Sequence, residues 1–286
     1  MFRLITVEGR TALEHGDQWY DLAALSGEDS LADPLVAVAR HTELHDLQER
    51  CATATARVGG PIEGAALSAP VPAPRQVFGI GLNYRDHASE SGMDVPPAPL
   101  TFTKFPSCIA GPTADVPLSG TMVDWEAEIV AVIGARCTRI AEADAWSAVA
   151  GLTLGQDISD RLVQLTGSPP QFSLAKSFPA FGPTGPAIVS VDSFEDPDDI
   201  ALWCDVAGER MQESRSSQLI FAVPTLVAYL SSICTLYPGD LIFTGTPAGV
   251  GMARNRFLAE GEVIDTGADT IGTLRNRCIA GRGACF

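Results

Sequence analysis

Lysine is almost missing from this chain of 286 residues. Of its 19 basic residues, 17 are arginine, and only Lys104 and Lys176 are lysine. Lysine is normally among the commonest residues, so the chain carries a broad bias toward arginine. Under that bias, a retained lysine marks a position where a planar, permanently charged guanidinium does not serve. Positive charge as a whole is scarce: 35 acidic residues against 19 basic ones give a formal net charge of −16. Phosphate backbones and anionic bilayers call for clustered Lys and Arg, which argues against nucleic acid or a membrane surface as partner. No run reaches the roughly 18 uninterrupted apolar residues of a spanning helix. Arg3, Glu8 and Arg10 interrupt any signal-peptide core, and a cytoplasmic location is expected. The seven cysteines form no CxxC or zinc-type cluster. They read as reduced thiols, mostly filling the core; Cys278 and Cys285, both near the C-terminus, are close enough to pair but are expected to stay reduced.

What is present is an ordinary globular balance, 46% hydrophobic and 19% charged. Residues 2–7 and 19–24 are predicted as strands about a Gly16-Asp17 turn. Residues 30–50 carry a loose apolar stripe that predicts a helix. His41 and His45 lie one turn apart on it, without a third ligand nearby, and read as helix-face residues. The Gly-, Ala- and Pro-rich stretch 59–76 predicts a linker. The expected organisation is a small N-terminal domain over 1–58, a linker over 59–74 and a main domain over 75–286. In the latter, strands are predicted at 77–82, 100–105, 128–134, 187–191, 200–206 and 240–245. Helices are predicted at 141–150 and 217–233, with Pro224 marking either a start or a kink. The balance is α+β and β-rich, with twisted mixed sheets rather than alternating βαβ units. Gly79-Ile80-Gly81 lacks the third glycine of a dinucleotide fingerprint.

The chemistry concentrates in DWEAEIVAVIG, residues 124–134. On a strand, Glu126 and Glu128 point to one face. Two adjacent carboxylates at the head of an apolar strand repel and resist burial, so they need a cation or a shared proton, unless the strand end is solvated. Asp157 ends a similar apolar run at Gly155-Gln156. If it meets the two glutamates, three hard oxygen ligands without His or Cys suit Mg²⁺ or Mn²⁺, with Ca²⁺ as a crystal substitute, rather than zinc.

Several separated motifs then fall in one order: GLNYRDHASESG (81–92), DWEAEIVAVIG (124–134), GQDIS (155–159), KSFPAFGPTGP (176–186), MQESRSSQLIF (211–221), PGDLIFTGTPAGVG (238–251) and GEVIDTGADTIGTLRN (261–276). This series resembles the fumarylacetoacetate hydrolase family, in its acylpyruvase and 2-hydroxyhepta-2,4-diene-1,7-dioate isomerase-like branch. The resemblance implies a β-rich catalytic fold, a homodimer, and a divalent metal on Glu126, Glu128 and Asp157. It implies a small anionic oxo-acid as substrate. His87 and Glu90 correspond to the family's lid pair, and Lys176 to its catalytic lysine. Lys104, Gln164, Thr244, Gly245 and Thr246 correspond to substrate-binding positions. Three positions depart from the pattern: Gln156 before the metal aspartate, Pro179 after KSF, and Ala207 in the NGE-type turn. Pro179 and Ala207 are expected to alter the substrate pocket.

The implied activity is metal-dependent hydrolysis of a C–C bond in an acylpyruvate or related β-diketo acid. His87 takes a proton from water, Glu90 orients the imidazole, and Lys176 stabilises developing charge. The alternatives are an oxaloacetate-type decarboxylase, an oxo-dienoate isomerase or decarboxylase, and, last, a non-catalytic oxo-acid-binding homologue.

Overall fold

A computed structural model describes residues 1–52, 59–90, 92 and 94–281. The central strand Ala127–Ile133 is buried along its whole length, as a run of Ile, Val and Ala demands. Its side chains divide by parity. Ile129, Ala131 and Ile133 enter one core, and Val130 and Val132 enter another on the opposite face. A strand with no solvent face needs a layer on each side.

One layer is N-terminal. Leu22, Leu31, Val38, Leu44 and Leu47 pack with Val130, Val132 and Ile188. The other layer is a five-stranded sheet in the order Glu209–Arg215, Ala201–Val206, Val263–Ala268, Gly272–Ala280, Val116–Leu118. Helix Val223–Ile233 joins it in covering that core through Leu226, Val227 and Leu230. Gln156 ties the two sheets, donating from Nε2 to Thr266 Oγ1 at 2.8 Å.

The large sheet runs Gly59–Pro61, Gln18–Asp21, Arg10–His15, Arg3–Val7, Gly182–Val189, Val149–Gln156, Ala127–Ile133, Leu241–Phe243, Val77–Gly81, Leu100–Thr103. Residues on both sides of the predicted linker therefore contribute to one sheet, and the linker stretch itself supplies Gly59–Pro61 and Leu67–Ser68. The ladder that matters most is antiparallel, pairing Ala127 with Gln156 and Glu128 with Gly155.

Several predicted elements differ in detail. The strand expected over 19–24 stops at Asp21, whose carboxylate accepts from Ala24 N at 2.9 Å and caps helix Leu22–Ser26. The long helix expected over 30–50 is broken into short turns, with Pro34 opening Pro34–Ala39 and Leu44–Cys51 closing the series. The 141–150 helix is a 3₁₀ segment, Glu142–Ala148, leading into strand Val149–Gln156. Gly151, Thr153 and Gly155 hide that strand from a propensity reading. Gly155 is required there, since a Cβ would sit 2.7 Å from both Phe243 and Val130. Pro224 lies in the first turn of Val223–Ile233, so it starts the helix rather than kinking it. Cys278 is buried and has no disulfide partner among the described residues, and Cys285 lies outside them. Among the described residues, no helix is long and apolar enough to cross a membrane.

Leu154 pairs with Ile129 at the centre of this arrangement and is fully buried. Leu154→Ala is expected to destabilise the protein by about 2–5 kcal/mol, read as a lower midpoint in urea unfolding at unchanged slope.

Candidate metal centre

The ladder builds the site. Extending the Ala127–Gln156 register by one residue sets Asp157 opposite Glu126, and the Asp157 amide donates to the Glu126 carbonyl at 2.8 Å. Cross-strand partners share a face, as do residues two apart on one strand. Glu126, Glu128 and Asp157 are therefore driven together, and one carboxylate oxygen from each lies within 4.8 Å of the others. All three are buried. The sequence left their meeting open; the register decides it.

Two lysines and one arginine surround them. Lys176 Nζ donates to Glu126 Oε2 at 2.7 Å, Asp157 Oδ2 at 2.7 Å and Ser159 Oγ at 2.8 Å. Burial alone would lower its pKa, but Asp157 and Glu126 outweigh it and hold the ammonium charged. Lys104 Nζ donates to Asp157 Oδ1 at 2.6 Å, to the Phe181 carbonyl at 3.0 Å and to the Lys176 carbonyl. All three of its protons are thus committed inside the protein. In this arrangement Lys104, like Lys176, has its ammonium held inside the cluster, where it braces Asp157.

Arg161 was not singled out in the sequence. It opens helix Arg161–Leu165, which Asp160 caps by accepting from Val163 N at 3.1 Å. Its guanidinium meets Asp124 Oδ2 at 2.7 Å, Glu126 Oε1 at 2.6 Å and Gln164 Oε1 at 2.9 Å. The signal available was an arginine four residues after Asp157, just past a capping aspartate. Gln164 is buried and receives this bond, so it neighbours the cluster through Arg161.

The TGTP turn closes over the same strand. The Gly245 amide donates to Glu128 Oε2 at 2.7 Å. Thr244 and Thr246 spend their hydroxyl protons on the carbonyls of Ile129 at 2.8 Å and Ala127 at 2.9 Å. Their hydroxyls anchor the turn, leaving the Gly245 amide as its one donor to the cluster. Tyr84 lies nearby with a fully buried hydroxyl that has no hydrogen-bond partner among the described residues. Burial, and then the Glu128 charge, pushes its phenol up.

Helix Arg85–Glu90 carries the expected pair. His87 Nδ1 lies 3.5 Å from Glu90 Oε2, and both Glu90 oxygens accept from Gly249 N at 3.1 Å. The Arg85–Glu90 turn explains the spacing, since residues three apart share a helix face. Of the departures, Gln156 supports the site: its Oε1 accepts from Glu126 N at 2.9 Å. Ala207 lies in the NGE-type turn expected for it, exposed between Ala201–Val206 and Glu209–Arg215, at φ 52°. Pro179 is exposed in the turn after Lys176.

Charge arithmetic shows what the cluster wants. Asp124, Glu126, Glu128 and Asp157 face Lys104, Arg161 and Lys176, four anions against three cations. The surplus falls on Glu128, whose pKa is pushed well up by burial, then by Asp157 and Glu126. For Glu126 burial is outweighed by Lys176 and Arg161, which hold it low. A divalent cation relieves the surplus and leaves a net positive charge to receive an anion. The donor set is all hard oxygen, which fits Mg²⁺ or Mn²⁺.

Residues 76–279 match the C-terminal domain of fumarylacetoacetate hydrolase. The chain belongs to the fumarylacetoacetate hydrolase family. Within that family it is 41% identical over 229 residues to the Dictyostelium discoideum fumarylacetoacetate hydrolase domain-containing protein 2 homolog, covering 76% of this chain and 75% of the other. It is 40% identical over 215 residues to the human mitochondrial oxaloacetate tautomerase FAHD2A, covering 74% and 68%. Among solved structures, a provisionally named HpcE protein of Mycobacterium smegmatis matches with a TM-score of 0.88 at 47% identity, over 97% and 99% of the two chains. The maleylpyruvate hydrolase of Sphingobium sp. SYK-6, solved with manganese(II) and pyruvate, matches at 0.82 and 26% identity, over 98% and 100%. The β-rich fold and the family expected from the motifs are those observed.

Glu128 fixes a pH dependence. Because its folded pKa is raised, the metal-free protein binds a proton there that the unfolded chain has already released. Its contribution is full below the usual carboxylate range and lost as pH rises through the raised value. A divalent cation removes that penalty, so the gain in melting temperature on adding Mn²⁺ should grow with pH. Differential scanning fluorimetry across pH 5–8 checks this; Glu128→Gln should flatten the dependence and shrink the gain.

Proposed function

We propose that this protein is a divalent-metal-dependent enzyme acting on small 2-oxo acids, with C–C hydrolysis of acylpyruvate-like substrates as its reaction. The observation that carries the reading is a buried three-carboxylate cluster with a lysine bridging two of its members, and a His–Glu pair on an adjacent helix. Glu126, Glu128 and Asp157 would hold the cation, which when bound supplies Lewis-acid polarisation of the substrate's oxo and carboxylate oxygens.

The chain's own groups divide the remaining work. His87 takes the proton from water, and Glu90, fixed on the Gly249 amide, orients the imidazole and stabilises its charged form. The pair's 3.5 Å separation is expected to tighten when substrate is bound. Lys176 supplies positive charge and a proton to the carbon released by cleavage. It is suited to that because an ammonium can give up a proton, whereas a guanidinium effectively cannot. The substrate meets a net −16 protein only through this local positive focus.

A second reading is favoured by the comparison with the oxaloacetate tautomerases. Keto–enol exchange of an oxaloacetate-type acid uses the same proton transfer at the carbon beside the oxo group, with no water attack. The homodimer belongs to the same proposal: Leu162, Leu165 and Leu174 are exposed on short helices beside the site and offer a second copy apolar surface. Light scattering at twice the chain mass would support it, and a monomer would remove it.

The test is a panel of acylpyruvates and oxaloacetate with Mg²⁺ or Mn²⁺, with products assigned by NMR. Hydrolysis predicts free pyruvate; tautomerisation predicts accelerated enol–keto exchange without cleavage. His87→Ala should lower hydrolysis by about 100-fold or more. Lys176→Arg should keep the fold and lose turnover, and a fully active variant would rule out the proton-donor role.

A further inference from the structure

Asp124 takes no part in the chemistry above, yet it is fully buried and joins two parts of the site. Its Oδ1 accepts from Gly251 N at 2.6 Å and its Oδ2 from Met252 N at 3.0 Å. The same Oδ2 meets the Arg161 guanidinium at 2.7 Å, and Arg161 in turn holds Glu126. Trp125, next in sequence, donates from Nε1 to the Gly249 carbonyl at 3.1 Å. The Gly249 peptide is thus held from both ends, with its carbonyl on Trp125 and its N–H on Glu90.

The glycines of Gly249-Val250-Gly251 are required by this packing. Gly249 has φ 104°, and a Cβ there would strike the Met211 carbonyl. A Cβ on Gly251 would lie 2.6 Å from Asp124 Oδ1. Only bare backbone passes close enough over Asp124 to present two amides to one carboxylate.

We propose that Asp124 is a positioning residue that couples the seat of Glu90 to the Arg161–Glu126 pair. A charged carboxylate is needed because four N–H groups converge on it, counting Trp125 N at 2.8 Å. An amide in its place offers one oxygen and turns a donor toward Met252 N and Arg161. This inference rests on reading Glu90 and Glu126 as working members of the site, and its test uses no turnover.

The experiment measures Mn²⁺ affinity by electron paramagnetic resonance and backbone hydrogen exchange over residues 85–90, in wild type and in Asp124→Asn. The variant is expected to bind Mn²⁺ about 10-fold or more weakly, the usual scale for a group orienting a metal ligand. Exchange at 85–90 should quicken about tenfold, matching the loss of a charge-assisted hydrogen bond, while strand 127–133 stays protected. Either quantity remaining within about twofold of wild type overturns the coupling. Should Asp124→Asn not fold, reciprocity supplies a second arm. Saturating Mn²⁺ should slow exchange at 85–90 in wild type. In Arg161→Lys, which keeps the charge but cannot span Asp124 and Glu126, that slowing should vanish. No slowing in wild type, or equal slowing in both, overturns the proposal. A protein inactive on every oxo-acid would leave these outcomes unchanged, so the coupling and the proposed activity fail separately.

Discussion

The burial of four carboxylates against three cations governs this structure. Taking a carboxylate out of water is tolerable only with partners, and Asp124, Glu126 and Asp157 each have at least one cationic partner within 2.7 Å. Among the described residues no cationic side chain is hydrogen-bonded to Glu128, which has the Gly245 amide and the pressure of its two carboxylate neighbours. The cluster is poised to take one more positive charge, and two for good measure if an anionic ligand follows.

Much of the surrounding fold serves that arrangement. The antiparallel register sets Asp157 opposite Glu126, and the two-sided core holds the register by giving every side chain of Ala127–Ile133 an apolar layer to enter. A slip of one residue would turn Glu126 and Glu128 to the wrong face. Lys104 braces Asp157 from behind, and the Thr244 and Thr246 hydroxyls lock the Gly245 amide onto Glu128. The scarcity of lysine acquires a structural meaning here. Both lysines lie buried in the cluster with all three protons donated, a compact three-way geometry that a planar fork does not reproduce.

The legible part of the sequence was local. Period-two spacing put Glu126 and Glu128 on one face, and the apolar run after them marked the strand. Motif order carried the family and the His87–Glu90 pair. What was hidden depended on contacts distant in sequence. Strand Val149–Gln156 was obscured by glycines whose purpose is close packing, not turning. Arg161 looked like any of 17 arginines until its helix aimed it at Glu126. The bracing of Asp157 by Lys104 was hidden because the two carbonyls that also accept its protons come from segments more than 70 residues away.

The central claim is that Glu126, Glu128 and Asp157 form one divalent-cation site. Anomalous scattering from crystals grown with Mn²⁺ tests it most directly. One strong peak is expected, bounded by these three carboxylates, with Lys176 and Arg161 still on Glu126. A peak elsewhere, or none at saturating Mn²⁺, would contradict it.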